Sequence, residues 1–178
     1  MKCSTLNLAG LCKDCASSKG GIRQVIAAYY GDLSFTTNSD GVITGATIAS
    51  GASVYLYQFR KGTGSMTSTL NVDVANGVNY VSTELVLQFT KMETKKRIEM
   101  AVLSVEELVL LVEDANGTWF VLGKDEPVIA TTGTGQTGQA VGDGNFYSIT
   151  FTDEATTWPP IITSAAVEAL NAACPQAS

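Results

Sequence analysis

The chain has 178 residues, of which 45% are hydrophobic and 16% charged, with a formal net charge of −6 and no histidine. That length fits one domain with its own core, and the acidic balance argues against nucleic-acid binding through clustered lysine and arginine. The missing histidine removes Ser-His-Asp and Cys-His machinery together with the commonest metal ligand, and no apolar run approaches the roughly 18 residues of a membrane helix.

Residues 1–20 read as an irregular N-terminal arm. Cys3, Cys12 and Cys15 lie in it, and Cys174 stands near the other terminus. Cys12-Lys13-Asp14-Cys15 is a C-x-x-C, but "ASSKGG" follows it, where a redox pair would want a helix start. A zinc site joining the termini lacks a second C-x-x-C. Reduced or structural cysteines are the first reading, with zinc and a disulfide as the alternatives. The arm has no continuous apolar stretch of the secretory type, so the chain is expected to fold in a cytoplasm.

Ile22 to Tyr30 reads as a strand and "TTNSDG" as a loop. "VITGATIASG" reads as short strands broken by glycine. "SVYLYQFRKGTG" is another strand, with Val54 and Leu56 opposite Tyr55, Tyr57 and Phe59. Then comes the clearest signal. In "MTSTLNVDV", Met66, Ser68, Leu70, Val72 and Val74 alternate with Thr67, Thr69, Asn71 and Asp73. In "VSTELVLQF", Val81, Thr83, Leu85, Leu87 and Phe89 share one face. Ala75-Asn76-Gly77 between the two runs is a hairpin turn. The opposite face carries Thr67, Thr69, Asn71, Asp73, Ser82, Glu84 and Gln88. From Ser65 to Thr90 there is no lysine or arginine, whereas a solvent-facing strand usually mixes signs.

"METKKRIEMAVLS" is rich in helix formers and predicts a helix over about residues 92–103. Glu93 with Arg97, and Lys95 with Glu99, stand four apart as candidate ion pairs. Leu108 to Val112 is an apolar run typical of a buried strand. Asp114-Ala115-Asn116-Gly117 turns it, and Trp119 to Leu122 returns. Residues 131–144, "TTGTGQTGQAVGDG", read as a long loop, and so large a loop is usually functional. "NFYSITFTDEA" is a last strand, stopped by Trp158-Pro159-Pro160, and residues 155–178 form a C-terminal tail with weak helical character. The sum over residues 1–178 is a mainly β single domain: an antiparallel sandwich or barrel of six to nine strands with one flanking helix.

The motifs with chemical readings are weak. Gly133-Thr134-Gly135-Gln136-Thr137-Gly138 matches G-x-G-x-x-G, but no helix follows it, so a dinucleotide site is not predicted. Glu106-Glu107 and Asp153-Glu154 are adjacent pairs, which split across the two faces of a strand and make no glycosidase pair. Asp114 to Gly117 lacks the downstream glutamate of a calcium loop. Lys91, Lys95, Lys96 and Arg97 are interleaved with Glu93 and Glu99, a nearly neutral helix side. No catalytic set, metal site or cofactor is expected, and no membrane partner.

From about Tyr55 to Tyr147 the sequence reads "YQFRKGTGSMTSTLNVDVANGVNYVSTELVLQFTKMETKKRIEMAVLS", then "LVLLVEDANGTWFVLG", then "GNFYSITF". It resembles tail-tube-like structural proteins of tailed bacteriophages infecting gut Bacteroidetes, including the crAss-like group, and "LCKDCASSKGGI" near the start is similar to that group too. The resemblance implies a β-sandwich of the tail-tube type that self-assembles into rings, usually hexamers, with a dodecamer as the alternative. Such rings stack on one another or on portal, adaptor or tail neighbours in the virion, after assembly in the bacterial cytoplasm. Their inner sheets join into a barrel that conducts DNA during packaging and ejection without binding it specifically. On that reading Thr67, Thr69, Asn71, Asp73, Ser82, Glu84 and Gln88 face the lumen. Thr132, Gly133, Gly135, Gln136 and Gly138 belong to an inter-subunit loop. The physics agrees, since a wall without cations gains no counterion-release energy from passing phosphates. The competing reading is a secreted or capsid-decorating glycan-binding domain, with Tyr29, Tyr30, Tyr55, Tyr57, Trp119 and Trp158 stacking on sugars.

Overall fold

Leu108, Val109, Leu110, Leu111 and Val112 are all buried, because the strand they form is covered on both faces. This computed structural model describes residues 17–172. Among the described residues, β1 (Ile22–Tyr29), β2 (Leu33–Thr37), β3 (Ile43–Ile48), β4 (Tyr55–Gln58), β7 (Leu108–Asp114), β8 (Trp119–Leu122) and β11 (Ile161–Ile162) make one sheet, ordered β2-β3-β11-β8-β7-β1-β4. The second sheet is β5 (Gly64–Asp73), β6 (Val78–Thr90), β9 (Ile129–Gln136) and β10 (Phe146–Ala155), ordered β5-β6-β10-β9. Helix α1 (Thr94–Leu103) links β6 to β7, and α2 (Ser164–Asn171) follows β11. The fold is mainly β, and every strand pairing is antiparallel except the single parallel pair Ile162 with Ile43.

Alternation divides the apolar side chains between two cores. Val25, Ala27, Leu108, Leu110 and Val112 from the larger sheet meet Leu85, Leu87, Ile149 and Phe151 from the smaller one, with Leu103 of α1 closing the side. Ile26, Ala28, Val109, Leu111 and Val121 point the other way, onto Ala166, Val167 and Leu170 of α2. Each large side chain buried this way contributes about 1.5–3 kcal/mol against exposure. The result is three layers: small sheet, large sheet, helix.

Several expectations are corrected. Among the described residues eleven strands replace six to nine. Gly45 does not break its segment; it sits inside β3, paired to Thr36, and a Cβ there would meet Thr36 at an ordinary 3.6 Å. In the C-terminal tail the weak helical character corresponds to α2, which puts Ala166, Val167 and Leu170 on one buried stripe. The pairs Glu93–Arg97 and Lys95–Glu99 do not form. Glu93 instead pairs with Lys91 and Lys96, and the Tyr57 hydroxyl donates to Glu99 Oε2 at 2.9 Å. The four cysteines and most of the N-terminal arm lie outside the described residues.

The largest correction is the loop at 131–144. Residues 129–136 are β9, paired along β10 from Thr152 back to Phe146. Glycines weaken strands and so hid this one. Their purpose is space. A Cβ on Gly135 would lie 3.0 Å from the Tyr147 ring and 3.2 Å from Met92 Cε, whereas one on Gly133 would sit 3.7 Å from the Ser148 carbonyl oxygen. The connecting loop is only residues 137–145. Asp143 organises it by accepting the N–H groups of Gln139 and Ala140, each at 2.8 Å. At the far end Asn145 accepts from the backbone N–H of Lys91 and, through its side chain, of Met92. These bonds hold Lys91 at φ 67° where β6 turns into α1.

One charge is buried between the sheets. Asp153 is 6% exposed and accepts the Gly123 N–H at 3.3 Å. Gly123 can stand there because its φ of 80° and the Leu108 carbonyl, 2.6 Å from where a Cβ would be, exclude a side chain. Burial pushes the Asp153 carboxyl up to about 6, helped by Asp125 and Glu126 and opposed by the Gly123 hydrogen bond.

Two measurements check this account. Gly135→Val is expected to lose about 1–3 kcal/mol in urea unfolding through overpacking, whereas Gly133→Ala is neutral or gains up to about 1 kcal/mol. The folded chain holds the Asp153 proton to about pH 6, the unfolded chain only to about its ordinary 3.8. Stability therefore falls as pH rises from 4 to 6 and levels off above, by an amount on the order of 2–3 kcal/mol. Asp153→Asn, whose side-chain oxygen still accepts from Gly123, should remove that slope and be the more stable protein at pH 7, with the difference gone below pH 4.

Candidate functional site

The smaller sheet has one face against the core and one face outward. Cross-strand pairing fixes which residue goes where. On the inward side Gly64, Leu87, Ile149 and Gly133 form one row, and Met66, Leu85, Phe151 and Ala130 the next. On the outward side Thr67, Glu84 and Thr152 form a row, as do Thr69, Ser82 and Glu154. Asn71 pairs with Tyr80, Asp73 with Val78, and Gln88 with Ser148. All seven residues singled out in the hairpin thus share this outward face. Thr67, Thr69, Asp73 and Glu84 are exposed, and Asn71, Ser82 and Gln88 partly so.

Two strands extend the same surface. β10 contributes Ser148, Thr150, Thr152 and Glu154, and β9 contributes Thr132, Thr134 and Gln136. A bulge lets Thr131 add its hydroxyl, 3.2 Å from that of Thr152. The period-2 pattern in "YSITFTDE" could have shown the β10 members. Those of β9 were masked by the glycines between them. Val78, Tyr80, Val86, Ile129 and Phe146 are the apolar members of the face. No lysine or arginine stands at any of its positions. Lys91, the residue after β6, and Lys96 are paired with Glu93 at the start of α1.

The three carboxylates on the face differ. Glu84 stands between Thr67 and Thr152, and Glu154 beside Ser82. Asp73 is engaged in the turn. Its carboxylate takes the Asn76 side-chain amide at 2.6 Å and the backbone N–H of Ala75 and Asn76. The Asn76 amide, then the backbone bonds, hold its carboxyl below the ordinary value. As carboxylates, all three offer hydrogen-bond acceptors only.

Of the residues assigned to an inter-subunit loop, Thr132 and Gln136 lie on the outward face. Gly133 and Gly135 point inward at α1 and Tyr147, and only Gly138 is in a loop. β9 and β5 are the two edges of the small sheet. Neither has a proline or a lysine, the usual devices against edge pairing, and β9 has no charged residue at all.

The aromatic residues considered for sugar stacking do not form one platform. Trp119 is buried against the second core, and Trp158 is exposed elsewhere. Tyr30 is half-exposed and donates to the Asp125 carbonyl at 2.8 Å. Tyr29, Tyr55 and Tyr57 gather beneath α1. Among the described residues no three Asp, Glu or Cys side chains come together as metal ligands. No protein-family model matches the chain, and no curated protein matches it either.

Proposed function

We propose that this chain is a virion structural subunit that closes into a ring through the β5 and β9 edges of its small sheet. The outward face of that sheet lines a channel for DNA. The observation that carries the reading is a four-stranded surface without a single cation, bounded by two edges that pair with no other described strand. The resemblance to tail-tube-like phage proteins supports it.

Joining β5 of one copy to β9 of the next is a heterologous contact, and such contacts close into rings when the rotation per subunit divides a full turn. Closure gives the edge N–H and C=O groups their partners. In the closed barrel, hydroxyls and amides offer a duplex only weak neutral contacts, while Glu84 and Glu154 repel its phosphates from every side. The proposal assigns the chain no catalytic role. Its partners are further copies, stacked rings or neck and tail neighbours, in the virion, with DNA as passing cargo.

Electron microscopy of the purified protein over a concentration series tests this. Rings of about six copies, with Thr69, Asn71 and Glu84 toward the hole, are expected. An assembly that carries those three residues on its outer surface overturns the reading. A second test uses charge. Thr69→Lys with Glu84→Lys should leave the unfolding midpoint within about 0.5 kcal/mol. In assembled rings it should create a DNA retention that weakens steeply with salt.

A further inference from the structure

We propose that a recess between α1 and the β1–β4 edge binds an organic cation, an alkylammonium or guanidinium head group. The recess measures about 200 Å³ and is lined by Tyr29, Tyr55 and Tyr57, with Ala27 beneath and Glu99 and Val102 above. It lies in the larger sheet, away from the outward face of the smaller one, and the proposal stands whether or not the chain forms a ring.

The recess has a local cause. β1 pairs with β4 so that Ala27 stands beside Tyr55, and Val25 beside Tyr57. On its other side Ala27 faces Leu110 of β7. A methyl group among large neighbours leaves a hollow in an otherwise filled row, and α1 roofs it without filling it. Tyr55 and Val102, at the rim, are 41% and 40% exposed, so the hollow is open to solvent.

Its walls have the chemistry of a cation cage. The Tyr29 and Tyr55 rings stand at 83° with centroids 6.3 Å apart. Two rings at right angles present π-electron density from two directions to a charge between them. Glu99 supplies the anion. Its Oε2 is fixed by the Tyr57 hydroxyl at 2.9 Å, and among the described residues its Oε1 takes no hydrogen bond. The Tyr57 phenol is held well above its ordinary pKa by burial first and then by its bond to Glu99, so Tyr57 stays the hydrogen-bond donor to Glu99. Burial first, then Tyr55, Glu106, Glu99 and Asp32, raise the pKa of the Tyr29 phenol, and no lysine or arginine lines the hollow. A half-enclosed anion beside electron-rich rings, with no cation of its own, is matched by a ligand that is positive, compact and partly apolar. An anion would meet Glu99, and a neutral apolar ligand would leave its charge uncompensated.

The test is a titration of the full chain with choline, with methylguanidinium, and with the uncharged isostere of choline in which tert-butyl replaces trimethylammonium. Aromatic NMR signals of Tyr29, Tyr55 and Tyr57 are followed. A cation should shift them while the isostere does not. Glu99→Gln, which keeps an acceptor for Tyr57, should weaken binding by about tenfold or more. Tyr55→Leu, at a half-exposed position, should abolish it with little change in the urea midpoint. The tighter of the two cations identifies the source, choline pointing to a free small molecule and methylguanidinium to an arginine side chain of a protein partner. Equal shifts from the isostere, or none from either cation up to roughly 100 mM, overturn the proposal.

Discussion

The structure depends on the burial of β7 from both sides. A strand reading Leu-Val-Leu-Leu-Val cannot lie at a surface, so its sheet must be covered twice. The small sheet and α1 supply one cover, and α2 with the β3 and β11 region supplies the other. This arrangement uses the available apolar surface asymmetrically. The large sheet takes two layers, and the small sheet, itself a cover, has none on its far side among the described residues. The outward face of β5, β6, β9 and β10 is therefore a necessary by-product of how the core is closed. What its composition adds is the choice of side chains for a surface that the fold leaves bare.

That choice departs from the ordinary. An exposed sheet usually gains solubility from lysine and glutamate together, and its edges from lysine or proline. Here threonine, serine and amide side chains do the wetting, and carboxylates are the only charges. The segregation is spatial. The basic residues at 91–97 sit where β6 has ended and the chain turns into α1, and Glu93 pairs two of them there. A face held free of cations over four strands, with unguarded edges, is costly for a solitary soluble protein and well suited to one that meets copies of itself.

How much of this was legible depended on periodicity. The β5–β6 hairpin, its Asn-Gly turn and the two faces were readable from strict alternation between branched apolar and hydroxyl residues. β7 was readable from its unbroken apolar run, and α1 to within two residues from its composition. β9 was not, because its alternation is glycine against threonine. Glycine registers as a loop signal whenever the neighbour it makes room for, here Tyr147 for Gly135, is far along the sequence. β11 is two residues long, shorter than any pattern can mark. The tyrosine recess was hidden for a similar reason. The spacing of Tyr55 and Tyr57 showed a shared face, but only the pairing of Ala27 with Tyr55 and the descent of Glu99 from α1 bring the elements together. The four-residue spacing offered Lys95 to Glu99 as a partner, whereas the hydroxyl of half-buried Tyr57 is the one it takes.

The small sheet also outlasts the core it covers. Along its inward side the rows run from Leu87 and Ile149 through Leu85 and Phe151 to the polar row Ser68, Thr83 and Asp153, past which Val81 is still buried. Ser68 and Thr83 satisfy each other at 2.8 Å, and Asp153 turns to Gly123. Beyond that polar row the hairpin continues, and its inward residues Leu70 and Val72 are 47% and 59% exposed, with Val74 at 89%. These residues follow the same alternation as Leu85 and Leu87, so the strand pattern commits them to an apolar side on which this chain places little. The tip is held by its backbone ladder and by the Asp73–Asn76 turn, which are short-range interactions. A two-stranded ribbon with only those supports is marginal in water. An outward face without cations, edges without guards and a hairpin longer than its own core are three independent features of one sheet. The proposed ring subunit, with its folding completed by its neighbours, would account for all of them at once.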